Sequence, residues 1–153
     1  DVMGTHAEIT EVWPRDGRIR VVGHIVGDPV DTGPVPWRLL LTLREHEEHQ
    51  LSYDSPLGEG RRFDVAVPIG DLVWEGMSDS VKWDLHLATE TGARLRVGRR
   101  LDGIHGKKEI MVFPAQQVTS GGVDISVKPF YTVKDNLSVK CRPLALEAQG
   151  HAA

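Results

Sequence analysis

The chain has 153 residues, 40% of them hydrophobic and 26% charged, which suits one domain with a sizeable core and excludes a disordered chain. Its formal net charge of −4 argues against a dedicated nucleic-acid binder, which carries a basic excess, although local basic patches remain compatible with it. The single cysteine, Cys141, cannot form an internal disulfide and favours a reducing compartment, and no apolar run approaches the roughly 18–20 residues that span a membrane.

No signal peptide is legible. The chain begins at Asp1 rather than Met, and we read it as a piece of a longer protein. Taken in order, His6 to Trp13 is a first strand, with Ala7, Ile9 and Glu11 on one side and Glu8, Thr10 and Val12 on the other. Pro14-Arg15-Asp16-Gly17 is a turn, because Pro presets φ and Asp-Gly favours tight reversal. Arg18 to Val26 is a second strand, with Ile19, Val21 and Ile25 opposite Arg18, Arg20 and His24. The stretch 27–36 is rich in Pro and Gly and reads as a loop.

Trp37 to Arg44 is a third strand with Trp37, Leu39, Leu41 and Leu43 inward. Glu45 to Gln50 is a polar connector, Leu51 to Tyr53 a short strand and Ser55 to Gly60 a turn. Arg62 to Val67 is a strand with Phe63, Val65 and Val67 in phase, and Pro68 to Leu72 makes one helical turn. Val73 to Ser80 bridges into the hairpin that organises the chain, Val81 to Arg100. There Val81, Trp83, Leu85 and Leu87 alternate with Lys82, Asp84 and His86. Glu90-Thr91-Gly92 turns the chain, and Ala93, Leu95 and Val97 alternate with Arg94, Arg96 and Gly98. Leu101 to Lys108 is a loop, Glu109 to Pro114 a short strand and Ser120-Gly121-Gly122 a turn. Val123 to Val133 and Leu137 to Arg142 form a last hairpin, turned at Lys134-Asp135-Asn136 with Asn136 suited to a left-handed conformation.

About nine to eleven strands with closely spaced turns predict an all-β sandwich or barrel. A two-sheet sandwich explains why most strands have one apolar face. Residues 1–143 are expected to be a single antiparallel β-sandwich domain, and residues 144–153 a frayed tail. Trp37 and Trp83 are in phase with leucines and belong to the core, whereas Trp13 and Trp74 fall at a strand end and in a loop.

Catalytic chemistry leaves few marks. There is no Gly-x-Ser-x-Gly elbow, and Cys141 has no distinctive neighbourhood. Gly106-Lys107-Lys108 lacks the glycine of a phosphate loop, since Leu101 stands in its place. His46 and His49 in Glu-His-Glu-Glu-His miss the four-residue spacing of zinc proteases and read as a solvated loop. No metal and no cofactor is expected. A rival reading, a stand-alone enzyme with a dispersed active site, would draw on His24, His86 or His105. Two features suit binding. Arg94 and Arg96 project from one face of a strand, with Arg99, Arg100, Lys107 and Lys108 following, and guanidinium forks match phosphate. Trp74 and Tyr131, with Trp13 behind them, are candidates to stack on sugar rings.

The run Val127-Lys128-Pro129-Phe130-Tyr131-Thr132, then Lys134-Asp135-Asn136-Leu137-Ser138-Val139, resembles the C-terminal β-sandwich regions of bacterial wall-polymer transferases. These are the family 2 glycosyltransferases that decorate teichoic acid and the glycerophosphotransferases that build such polymers. Trp83-Asp84-Leu85-His86-Leu87 and Arg94-Leu95-Arg96-Val97-Gly98 resemble the segment before it, so the likeness covers roughly residues 60–142. The resemblance implies an immunoglobulin-like, non-catalytic accessory domain that binds polymer or carbohydrate or mediates oligomerisation. The family's catalytic residues sit in a separate N-terminal domain, and none of its nucleotide-sugar or metal motifs occurs here. The implied partners are an anionic wall polymer or saccharide and further copies of the chain, with no nucleic acid and no membrane span. The implied location is the cytoplasm, at the inner face of the membrane through the parent protein. Within that frame the ligand residues are Arg94, Arg96, Trp74 and Tyr131.

Overall fold

The computed structural model describes residues 6–27, 36–74, 77, 79–89, 94–99, 113–132, 134 and 136–144, and among these it has ten strands and two short 3-10 turns. The chain opens with β1 (His6–Arg15) and β2 (Arg18–Val26), paired antiparallel around Asp16-Gly17. Both turn residues have positive φ, 57° and 75°, the geometry whose twist matches that of the flanking strands. The strand therefore runs through Pro14 to Arg15, and the reversal needs only Asp16-Gly17. A bulge between Ile9 and Glu11 corrects the expected alternation of β1. The extra residue, Thr10, turns its hydroxyl to donate to Val22 O at 3.0 Å. Glu11 thereby goes to solvent, and Val12 packs against the core.

The chain continues through β3 (Trp37–Leu43), β4 (Gln50–Asp54), η1 (Glu59–Arg61), β5 (Arg62–Pro68) and η2 (Ile69–Leu72). It ends in β6 (Val81–Thr89), β7 (Arg94–Gly98), β8 (Gln116–Ser120), β9 (Val123–Tyr131) and β10 (Leu137–Pro143). The strand order is β5-β2-β1-β7-β6-β10-β9-β8, with β3 paired to β6 and carrying β4. The expectation of an all-β chain is met, but the sheet is mixed rather than antiparallel. β1 and β7 run parallel at Ala7–Val97 and Glu8–Gly98. That pairing is possible because β1 and β7 lie far apart in sequence and need no tight turn.

Strand β8 was not expected. Its sequence, Gln-Gln-Val-Thr-Ser, is polar, yet it pairs with β9 around Gly121-Gly122, both at positive φ. The last hairpin is present as β9 and β10, paired from Leu137–Tyr131 to Pro143–Ile125. The expected strand over 109–114 lies mostly outside the described residues, as do the turn at 90–92, the loops at 28–35 and 100–112, and the tail at 145–153.

The apolar faces of both wings meet in one cluster. Ile19, Val21, Phe63, Val65 and Val67 from β2 and β5 face Leu39, Leu41, Trp83, Leu85, Leu87, Val127 and Val139 from β3, β6, β9 and β10. Burying each such side chain is worth roughly 1.5–3 kcal/mol, which is why strict alternation fixes the strand faces. The wings are also tied at their rims. Gln116 on β8 accepts from Gly17 N–H and donates to Arg18 O, both at 2.8 Å, and the Tyr53 hydroxyl on β4 donates to Asp71 at 2.7 Å. Among the described residues no helix is long and apolar enough to cross a membrane.

Candidate functional site

β6 sits at a fork. One edge pairs with β3 along its length. The other edge pairs with β10 over Val81 to Asp84 and then with β7 over His86 to Ala88. Where two partners replace one, backbone carbonyls lose their ladder donors. Arg96 fills that gap. Its Nη1 donates to Leu85 O at 2.8 Å and Leu137 O at 2.9 Å, and its Nη2 donates to Asp84 Oδ1 at 3.2 Å and Ser138 Oγ at 3.0 Å. Asp84 also receives Arg44 in a two-pronged pair at 2.6 and 3.2 Å, and the Ser138 hydroxyl at 2.7 Å. Burial raises the Asp84 pKa, but the hydrogen bonds from Arg44 and Ser138 and the charges of Arg96 and Arg44 outweigh it, so the carboxyl stays below its ordinary value.

Two of the four expected ligand residues lie mostly or wholly buried in this arrangement. The Arg96 guanidinium is committed to the sheet, with its side chain only 19% exposed. Tyr131 is 1% exposed, with its ring 5.6 Å from that of Phe113, and offers no face to a sugar. The core face of β9 claims it, together with Ile125 and Val127. Arg94 stands exposed on β7, opposite Ala88. Trp74 is 40% exposed. The structure therefore does not bring the four together.

What surrounds Trp74 is a cleft. The indole Nε1 of Trp83 donates to Leu72 O at 3.1 Å, which pins the end of η2 to the core and projects Val73 and Trp74 outward. The Cys141 thiol approaches the same carbonyl at 3.6 Å. Burial pushes that thiol up to about 12, so it stays protonated and inert. On the other side, the β3–β4 turn folds back on itself. Leu43 N–H donates to His49 O, His46 N–H to Leu43 O and His49 N–H to His46 O, at 2.9–3.1 Å, with Glu45 at φ 72°. This turn sets His46 and His49 edge to face at 6.4 Å. A cleft of about 450 Å³ lies between them and Trp74, floored by Leu43, Val73 and Trp83 and closed by Asp71. A second cleft of about 690 Å³ shares Leu43, His46 and Trp74 and runs on to Arg44, Lys82 and Lys140, with Glu45 and Asp79 at its wall. Trp74 is the fin between the two. The sequence of the histidine pair reads as a solvated loop, and only the fold shows that it lines a cleft with a tryptophan. Among the described residues no group of three His, Cys, Asp or Glu side chains is placed to hold a metal ion.

The remaining candidates are separate. Trp13, 40% exposed, lies under the Arg15 guanidinium at 5.0 Å and donates its Nε1 to Glu11 at 2.8 Å. With Arg18, Arg20 and Asp64 it borders a shallow polar depression on the β1-β2-β5 wing. His24 is half-buried on β2, and His105 lies outside the described residues. His86 is half-buried too, with Nδ1 enclosed and without a hydrogen bond. Burial, then the charges of Arg96 and Arg94, push it down to about 4, so it is neutral near pH 7.

The described strands and clefts define an all-β module with a continuous mixed sheet and an aromatic cleft at one rim. The same fold occurs in crystal structures of a teichoic acid glycosyltransferase. Against S. aureus TarS 217-571 the TM-score is 0.66 at 13% identity, covering 92% of this chain and 39% of that one. Against S. aureus TarS the TM-score is 0.66 at 14% identity, covering 93% of this chain and 25% of that one. The likeness is one of fold, and this chain spans well under half the length of either. No family model and no curated protein matches the sequence.

Proposed function

We propose that this chain is a non-catalytic, immunoglobulin-like accessory module of a bacterial wall-polymer glycosyltransferase, and that it holds the polymer or its saccharide at the Trp74 cleft. One observation carries the reading: a tryptophan 40% exposed, fixed by a pinned 3-10 turn, walls two contiguous clefts on a fold shared with TarS. An indole face buries the apolar face of a sugar ring, and the histidines and Asp71 beside it supply hydrogen-bonding groups. Arg94 shares the outer face of β6 and β7 and is proposed as a distal phosphate contact. It pairs opposite Ala88, six residues along β6 from Lys82, or about 20 Å.

The test is calorimetric titration with teichoic-acid fragments and with neutral saccharides, at low and high salt. Trp74→Ala is expected to weaken saccharide binding about tenfold or more, and Trp13→Phe to leave it intact. Wild-type affinity in Trp74→Ala would remove the cleft from the reading. Subunit assembly is the second reading, favoured by β4, β5 and β8, each paired on one side only among the described residues. Light scattering that shows a strict monomer at high concentration would rule it out.

A further inference from the structure

We propose that Lys82, Lys140 and Lys128 form a phosphate-binding row on the outer face of the sheet, continuous with the Trp74 cleft, and that its ligand is a linear polyol- or sugar-phosphate polymer. This deepens the function proposed above and rests on it for the saccharide end of the ligand. The register makes the row. Lys140 on β10 stands directly opposite Lys82 on β6 and directly opposite Lys128 on β9. Directly paired residues share a sheet face, and here it is the outer one, since Trp83, Val139, Cys141 and Val127 point into the core. Three ammonium groups thus rise from adjacent strands about 5 Å apart.

Like charges directly across a sheet destabilise it, and among the described residues no ion pair within 4 Å relieves this cost at the three lysines. Among the described residues none of the three lysines has an ion-pair partner. The carboxylate next along β6, Asp84, is held by Arg44 and Arg96. The usual bland role of strand lysines, guarding an exposed edge, does not account for Lys140, whose strand β10 is paired with β6 on one side and β9 on the other. In a chain of net charge −4, an uncompensated cationic row inside a sheet is the signature of a surface completed by an anion.

The shape narrows the anion. The row spans two strand spacings, about 10 Å, more than a single phosphate can contact. One end opens into the cleft, where Lys82 and Lys140 face Trp74 and His46. Beside the row, the Lys82 ammonium lies 5.8 Å over the Phe130 ring, an apolar surface next to the charges. Glu45 and Asp79 line the same cleft as Trp74, Lys82 and Lys140, so charge favours phosphates along the row beyond the cleft and uncharged units at the indole. A chain of phosphates separated by polyol or sugar units matches that alternation.

The experiment compares the wild-type chain, the triple variant Lys82→Gln/Lys128→Gln/Lys140→Gln and Trp74→Ala. Each is titrated by calorimetry with a synthetic glycerol-phosphate oligomer and with a neutral oligosaccharide, over a range of salt. The triple variant is expected to lose about tenfold or more in affinity for the phosphate oligomer at low salt. Its salt dependence should flatten, and its affinity for the neutral saccharide should fall by much less than its affinity for the phosphate oligomer. Unchanged affinity and salt slope would overturn the row. If wild type ignores the neutral saccharide while the triple variant still loses the oligomer, the row stands and the Trp74 reading falls. If wild type binds neither, both fall. Single-stranded DNA and phosphatidylserine vesicles run in parallel, and tighter binding of either would overturn the polymer assignment. Removing mutual repulsion should leave the urea midpoint unchanged or raise it. Should the triple variant misfold, Lys140→Gln alone, at an exposed position, tests the same loss on a smaller scale.

Discussion

At Asp84 one carboxylate accepts hydrogen bonds from Arg44, Arg96 and Ser138 where β6 changes partners. Removing it strands two partly buried guanidinium groups, so Asp84→Ala is expected to cost about 2 kcal/mol in urea unfolding. Arg96→Ala would free Leu85 O and Leu137 O at the same fork. The neighbouring His86 gives the fold a pH dependence. Its folded pKa is depressed from 6.5 to about 4, so its contribution is complete above 6.5 and is lost as pH falls toward 4. The loss amounts to at most about 3 kcal/mol. Asp84, also depressed, adds a second loss below the ordinary carboxylate range. Urea midpoints should therefore fall between about pH 7 and about pH 5, and His86→Gln should flatten that fall. An undiminished fall in His86→Gln would assign it to another group. Sequence alternation placed His86 on the outer face, but its enclosure and the two arginines beside it come from β7, which only pairing brings near.

The elements were legible wherever apolar alternation was strong, as in β2, β3, β5, β6 and β9. It failed in β8, whose alternating partners are Gln, Thr and Ser, and only Val118 touches the core. The signal available was the Gly121-Gly122 pair ahead of a strong strand, a two-residue hairpin turn. It also failed at the β1 bulge, because one extra residue reverses every following side chain. The bulge has a visible partner in Gly23. A Cβ there would strike the Glu8 carbonyl and lie 2.8 Å from the Phe63 ring. Gly23→Ala is expected to destabilise by about 2–3 kcal/mol. Gly17→Ala has open space around it but a φ of 75°, and should cost nearer 1 kcal/mol from backbone strain alone. Equal midpoints for the two variants would contradict the close approach at Gly23.

On the scale of the whole molecule, the Trp74 cleft belongs to segments that meet only after folding: the β3–β4 turn, the end of η2 and the start of β6. Because Trp74 stands on the rim, Trp74→Ala should leave the urea midpoint within about 0.5 kcal/mol of wild type, separating lost binding from lost folding. By itself the sequence determined the all-β class, the strand faces outside the β1 bulge, the buried Trp37 and Trp83, and the likeness to wall-polymer transferases that the shared fold with TarS matches. Those features are local, written in period-two alternation and turn chemistry. Tertiary structure alone decided that β1 and β7 run parallel, that Arg96 serves the sheet, that Tyr131 is core, and that Lys82, Lys140 and Lys128 stand in one row. Each of these depends on which strands become neighbours and in what register, and register is set by the packing of distant apolar faces rather than by the residues beside them in the chain.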